Sequence, residues 1–201
     1  MKSFLIQLVF FITFCSLLQS AHAGFGPCPD SPNAYDDFSA SKFRGLWYLY
    51  STSNGYYDSY KDECRTDLVM SRGNETVGLD FKVLTSTQDA NNSSRTERWV
   101  RKYDFQSEHD PHATFVSEGG FWPQHVTVVK TDHFSYAILE VCRSIGLYHW
   151  SHYEILSRDK LPSKYHRNQI AKETKKFGYH HKTDFKRAET LKCYTPEESG
   201  E

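Results

Sequence analysis

The sequence predicts an all-β fold, an eight-stranded antiparallel up-and-down barrel with one C-terminal α-helix packed outside it. Three observations carry this. From 45 to 158, eight short runs rich in β-branched and aromatic residues follow one another with turn residues between them. Each run with its turn takes roughly 14 residues, the spacing of a meander rather than of alternating strands and helices. After Arg158 the period changes to a helical one. Eight strands suffice to close a barrel with room for one small ligand.

The N-terminus comes first. Lys2 precedes an apolar run over 4–18, which ends in Ala21-His22-Ala23, the small-x-small pattern of a signal peptidase site. Residues 1–23 therefore read as a secretory signal peptide, and the run is shorter than the roughly 20 residues a membrane span needs. Cleavage removes Cys15 and leaves Cys28, Cys64, Cys142 and Cys193 in an oxidising compartment. Two disulfides are expected, with three connectivities open. The four are too widely spaced for a zinc site, so no metal is expected. Asn74 (NET) and Asn92 (NSS, after Asn91) are glycosylation sequons in segments read as turns.

The strands are read at 45–52, 64–71, 76–85, 96–105, 113–119, 125–131, 134–142 and 147–158. Between them lie turn clusters such as Ser53-Asn54-Gly55, Arg72-Gly73-Asn74, Asn91-Asn92-Ser93 and His109-Asp110-Pro111. A helix is read over 164–177, where Tyr165, Ile170 and Phe177 make a narrow apolar stripe and Gly178 stops it. It should lie on the barrel with most of its circumference wet. The domain is placed at 24–193 and a disordered tail at 194–201 (YTPEESGE).

Composition narrows the function. A net charge of -1 across 201 residues leaves no basic surplus to neutralise phosphates, which excludes nucleic-acid binding driven by net charge. An aromatic content of 15% is more apolar area than a disordered chain carries.

Phe43-Arg44-Gly45-Leu46-Trp47-Tyr48, Thr131-Asp132-His133 before the seventh run and Ser157-Arg158 closing the eighth come in the order and spacing of lipocalin motifs. From Cys28 to Cys193 the chain resembles that family, and in its cysteines the group of apolipoprotein D, insect bilin-binding proteins and crustacyanins. The resemblance implies structural roles for Gly45, Trp47, Thr131, Asp132 and Arg158, with the Arg158 guanidinium packed across the Trp47 ring to close one end of the barrel. It also implies the disulfides Cys28–Cys142 and Cys64–Cys193. His133 departs from the pattern, which carries a tyrosine there.

Residues two apart on a strand share a face. If Arg158 points inward, so do Leu156, Glu154, His152, Trp150 and Tyr148; Trp47 carries Leu49 and Ser51 with it. The fourth run offers Trp99, Arg101, Tyr103 and Phe105, and the third Val77, Leu79, Phe81 and Val83. From these, Leu49, Phe81, Trp99, Arg101, Tyr103, Trp150, His152 and Glu154 are the expected ligand contacts. Arg101 would either pair with a ligand carboxylate or stand in water at the rim. Glu154 would either favour a cationic amine or accept a hydrogen bond from a neighbouring Tyr or Arg. His125, His149 and His152 are strand histidines of the kind that ligates haem, but no spacing singles one out. His180-His181 reads as a solvated pair.

The expected function is a secreted, extracellular carrier of one small hydrophobic ligand (lipid, retinoid-like, bilin or carotenoid) in the barrel. The alternative is a protein-directed inhibitor or scavenger acting through its loops, for which Tyr56, Tyr57 and Tyr60 are the feature. No catalytic residues, cofactor or integral membrane segment after leader cleavage is expected. Catalysis would need a nucleophile with its base, or two facing carboxylates, and neither motif stands out. Self-association is left open.

Overall fold

A computed structural model describes residues 23–31, 33–53, 63–72, 78–88, 94–105, 113–117, 123–188 and 190–193. Residues 1–22 of the expected leader 1–23, Val77, both sequon asparagines Asn74 and Asn92, the loop tyrosines 56, 57 and 60 and the tail lie outside the described residues.

Eight strands stand where the runs were read: β2 (Gly45–Ser53), β3 (Glu63–Arg72), β4 (Gly78–Gln88), β5 (Ser94–Phe105), β6 (Thr114–Ser117), β7 (Gln124–Thr131), β8 (Tyr136–Ile145) and β9 (Tyr148–Ser157). Each pairs antiparallel with the next, and β2 also pairs with β9, which closes the barrel. Tyr48 marks the closure, facing Thr66 on one edge and Ser157 on the other. Closure gives every one of these strands a partner on both sides over part of its length.

Two short strands were not read from the sequence. β1 (Ala23–Phe25) extends β9 at its N-terminal end, with Phe25 opposite Tyr148. β10 (Phe185–Arg187) pairs with residues 51–53 of β2, beyond the point where β2 and β3 part at Tyr48 and Thr66.

The wall separates two cores. Inside it, Phe43, Trp47, Leu49, Val69, Leu79, Phe81, Val83, Tyr103, Phe115, Leu139 and Leu156 form one buried cluster. Outside it, Tyr50, Ile138, Tyr153, Ile155, Tyr179 and Phe185 meet Ile170 of the helix α2 (Lys164–Lys176). The helix starts as predicted, with Ser163 Oγ accepting from the His166 amide at 3.2 Å, and stops before Gly178, whose φ of 84° is the left-handed conformation glycine tolerates. Of its predicted stripe, Ile170 is buried, Phe177 stacks on Tyr153 with ring centroids 5.9 Å apart, and Tyr165 is exposed. A narrow contact face is enough because the rest of the helix is polar.

Two bulges break the strand parity. One falls between Leu49 and Ser51, the other between Val128 and Lys130. The first corrects an expectation: Leu49 faces Leu156, but Ser51 faces Ile155, a residue of the outer core. The extra residue turns Ser51 outward and brings Thr52 opposite the inward Glu154.

The disulfides are Cys28–Cys142 and Cys64–Cys193, with sequence separations of 114 and 129. They bind the N-terminal segment and the C-terminal segment to the wall. In the chain-entropy model, loops of this length stabilise by roughly 4 to 5 kcal/mol each.

Candidate functional site: a plugged barrel with an internal charge cluster

One end of the barrel is closed by residues from three parts of the chain. The short helix α1 (Ala40–Phe43) ends on Phe43, whose carbonyl accepts from Trp47 Nε1 at 2.8 Å. Trp47 and Phe43 are fully buried, and Phe38 packs its ring edge on Phe43 at 5.3 Å. The Arg158 guanidinium lies 3.6 Å from the centre of the Trp47 ring. Its Nη1 donates to the Leu46 carbonyl at 2.8 Å and its Nη2 to the Arg44 carbonyl at 2.7 Å. Burial pulls the Arg158 pKa down to about 10, against the opposing pull of Asp132, so it stays charged at neutral pH. Gly45 makes room for this cation. Its φ is 101°, and a Cβ there would stand 3.0 Å from Arg158 Nη1.

The turn after β7 buttresses the plug. Asp132 Oδ1 accepts from the amides of Phe134, Ser135 and Tyr136 at 3.0, 2.7 and 3.1 Å. Burial opposes ionisation of Asp132, but these donors outweigh it and hold the carboxyl below its usual range. Thr131 Oγ1 donates to the Tyr136 carbonyl and accepts from the His133 amide, both at 2.8 Å. His133, with φ of 65°, turns its ring toward the N-terminal segment, where Nε2 accepts from the Ser39 amide at 3.0 Å. Burial, reinforced by Lys42 and Arg158 and resisted by Asp132, lowers its pKa. The neutral ring is the form that can accept this bond.

Above the plug the interior is apolar and then charged. Arg65 donates from Nε and Nη2 to both oxygens of Asp67 at 2.9 and 2.7 Å, and from Nη1 to Glu154 Oε1 at 2.8 Å. His152 Nε2 lies 3.4 Å from the same Glu154 oxygen. All four side chains are buried. Burial alone would raise the pKa of Glu154; the charge of Arg65, with hydrogen bonds from His152 and Arg65, reverses this and holds it ionised well below the carboxylate range. The pair also spans the gap in the wall. Arg65 directly precedes Thr66, the β3 residue at which the β2–β3 ladder ends, so the ion pair to β9 joins the two strands that flank β2 beyond that end.

The expected contact residues distribute as follows. Leu49, Phe81 and Tyr103 belong to the inner apolar cluster. His152 and Glu154 belong to the charge cluster, and Arg65 is the partner Glu154 takes. Arg101 is half-buried opposite Phe81 and hydrogen-bonds Tyr103, whose hydroxyl pKa is raised chiefly by burial. Trp150 is half-buried two residues above His152. Trp99 stands opposite Val83 in the register, and its side chain lies outside the described residues. Arg65 and Asp67 were missed; opposite charges two apart on the second run, sharing a face, were the signal available. Of the other strand histidines, His125 is half-buried with a pKa lowered by burial, and His149 Nδ1 lies 3.2 Å from the Gly26 carbonyl. Among the described residues, no group of three or more His, Cys, Asp or Glu side chains is placed to hold a metal ion.

No protein-family model and no curated protein matches the chain. Solved structures do. Insecticyanin from the tobacco hornworm Manduca sexta superposes with a TM-score of 0.63 at 18% identity, covering 89% of this chain and 92% of its own. Lobster apocrustacyanin A1 gives 0.55 at 17% identity over 83% and 90%. The siderocalin Ex-FABP gives 0.53 at 17% over 72% and 91%. The chain has the lipocalin fold. Within that fold Trp47 and Arg158 make the predicted stack, and the disulfides are the pair the resemblance implied.

Proposed function

We propose that the protein is a secreted carrier that holds one small hydrophobic molecule, without covalent chemistry, in the barrel of residues 24–193 after loss of the leader 1–23. The observation that carries this reading is a barrel plugged at one end, whose inner face joins an apolar wall to a compact set of buried charges. Such a lining buries an oily body and orients it at one or two polar points. Leu49, Phe81, Trp99, Tyr103 and Trp150 are proposed as the wall, and Arg101, His152 and Glu154 as the orienting groups. The siderocalin among the structural neighbours functions through dual ligand specificities, which accords with a binding role.

The charges also select the guest. Arg65 and Arg101 stand against Asp67 and Glu154, and all but Asp67 are close enough to act on the Tyr103 hydroxyl. The set is compensated, so a guest bearing net charge would leave one charge too many in a poorly hydrated interior. A neutral molecule with hydroxyl or carbonyl groups fits best.

The test is to collect the protein from the medium of insect cells expressing the full chain, sequence its N-terminus and titrate it with an alcohol, a carboxylate and an amine of the same long hydrocarbon, following tryptophan quenching. One-to-one binding with the alcohol tightest is expected. Retention in the cell, or no saturable binding of any of the three, would overturn the carrier reading; tighter binding of the acid or amine would overturn the neutral guest.

A further inference from the structure

The end of the barrel opposite the plug carries an apolar tip. β8 and β9 are joined by Gly146-Leu147, with Ile145 opposite Tyr148 and Gly146 at a φ of 59°, the positive value a primed two-residue hairpin needs at its first position. Leu147 is 74% exposed, Tyr148 57% and Ile145 38%. β1 adds Phe25, 79% exposed, its ring centroid 4.8 Å from that of Tyr148. The Gly26 amide donates to the Leu147 carbonyl at 2.8 Å, so the two segments form one projection. Water gains nothing from such a cluster, and a contiguous exposed apolar patch marks a contact surface.

Three features indicate what it contacts. The four side chains present on the order of 500 Å² of surface, short of the roughly 800 Å² per partner that a stable protein pair buries. The patch is the convex tip of a hairpin, which enters a deformable medium more readily than it matches a rigid one. Its residues follow the order of a membrane interface: aliphatic at the apex (Ile145, Leu147), aromatic just behind (Phe25, Tyr148, Trp150), and no carboxylate between Val141 and Tyr153 or between Ala23 and Pro29. Tyrosine and tryptophan suit that boundary because their rings are apolar and their tips polar.

We propose that this tip docks the open end of the barrel on a lipid bilayer surface, inserting Leu147, Phe25 and Ile145 among the acyl chains near the headgroups. The docking gives the cargo of the proposed carrier a path between bilayer and barrel without crossing water. It rests on the carrier reading for its purpose alone, because docking is measured with no cargo present.

The experiment is co-sedimentation of the secreted protein, its start confirmed by N-terminal sequencing, with phosphatidylcholine vesicles. Leu147→Asp and Tyr148→Asp are compared with the parent. Both positions are exposed, so the variants should keep the parent's circular dichroism and melting temperature. Each variant is expected to partition at least about tenfold less, since the water-to-lipid transfer of one large apolar side chain is lost. Equal partitioning of parent and Leu147→Asp would overturn the proposal. So would a parent that ignores vesicles and instead forms a concentration-dependent dimer abolished by Leu147→Asp, which would make the tip a contact between copies. Neither result touches the titration with hydrocarbon ligands.

Discussion

Glu154 and His133 show how single side chains set the acid limit of this protein. Glu154 ionises at 4.5 when unperturbed and well below that in the fold, so its contribution to stability is full above that unperturbed value and is lost as pH falls below it. His133 has the same sign at a higher pH: its unperturbed value is 6.5 and its folded value lower, so its contribution is full above 6.5 and is lost on acidification below it. Protonation there removes the acceptor for the Ser39 amide and adds a cation beside Lys42 and Arg158. His133→Asn tolerates the left-handed backbone and does not titrate; urea unfolding followed from pH 7 to 5 should show a flatter stability profile than the parent. Arg65→Met should be costly at neutral pH, by about 3 to 5 kcal/mol in the same assay, because it leaves two buried carboxylates without their counter-charge. These two residues were legible to different degrees. The sequence marks His133 as a departure from a motif, but its bond to Ser39 spans 94 positions and depends on a backbone angle that no pattern encodes.

At the scale of elements, the eight barrel strands and the helix could be read because each is long enough to show its period. β1 and β10, three residues each, show none; they exist because neighbouring strands offer unpaired backbone at those places. The bulge at Leu49/Ser51 was equally silent. Parity runs true from Trp47 to Leu49 and fails one residue later, so the inner face of β2 was read correctly only as far as the bulge. The helix gives a direct test. Ile170 is fully buried between α2 and the wall, and Ile170→Ala should cost about 2 to 4 kcal/mol by chemical denaturation. Cargo binding should survive, since Ile170 belongs to the outer core. A matching loss of binding would mean the two cores are not independent.

At the scale of the whole molecule, the plug, the inner core and the ring of strands form one unit, and the two disulfides bind the terminal segments to it. Cys28→Ser with Cys142→Ser, or Cys64→Ser with Cys193→Ser, should each lower the free energy of unfolding by up to about 4 to 5 kcal/mol if loop entropy dominates. Calorimetry of the oxidised and paired-serine forms would check this. The cross-links have a mechanical consequence as well. They merge Cys28 with Cys142 and Cys64 with Cys193, so two knots are joined by three parallel lengths of chain. Pulled by its ends in a force spectrometer, the oxidised molecule can lengthen only until the shortest of these, the stretch from Cys28 to Cys64, is taut. The remaining lengths stay slack, shielded from the load until a reductant cuts the knots.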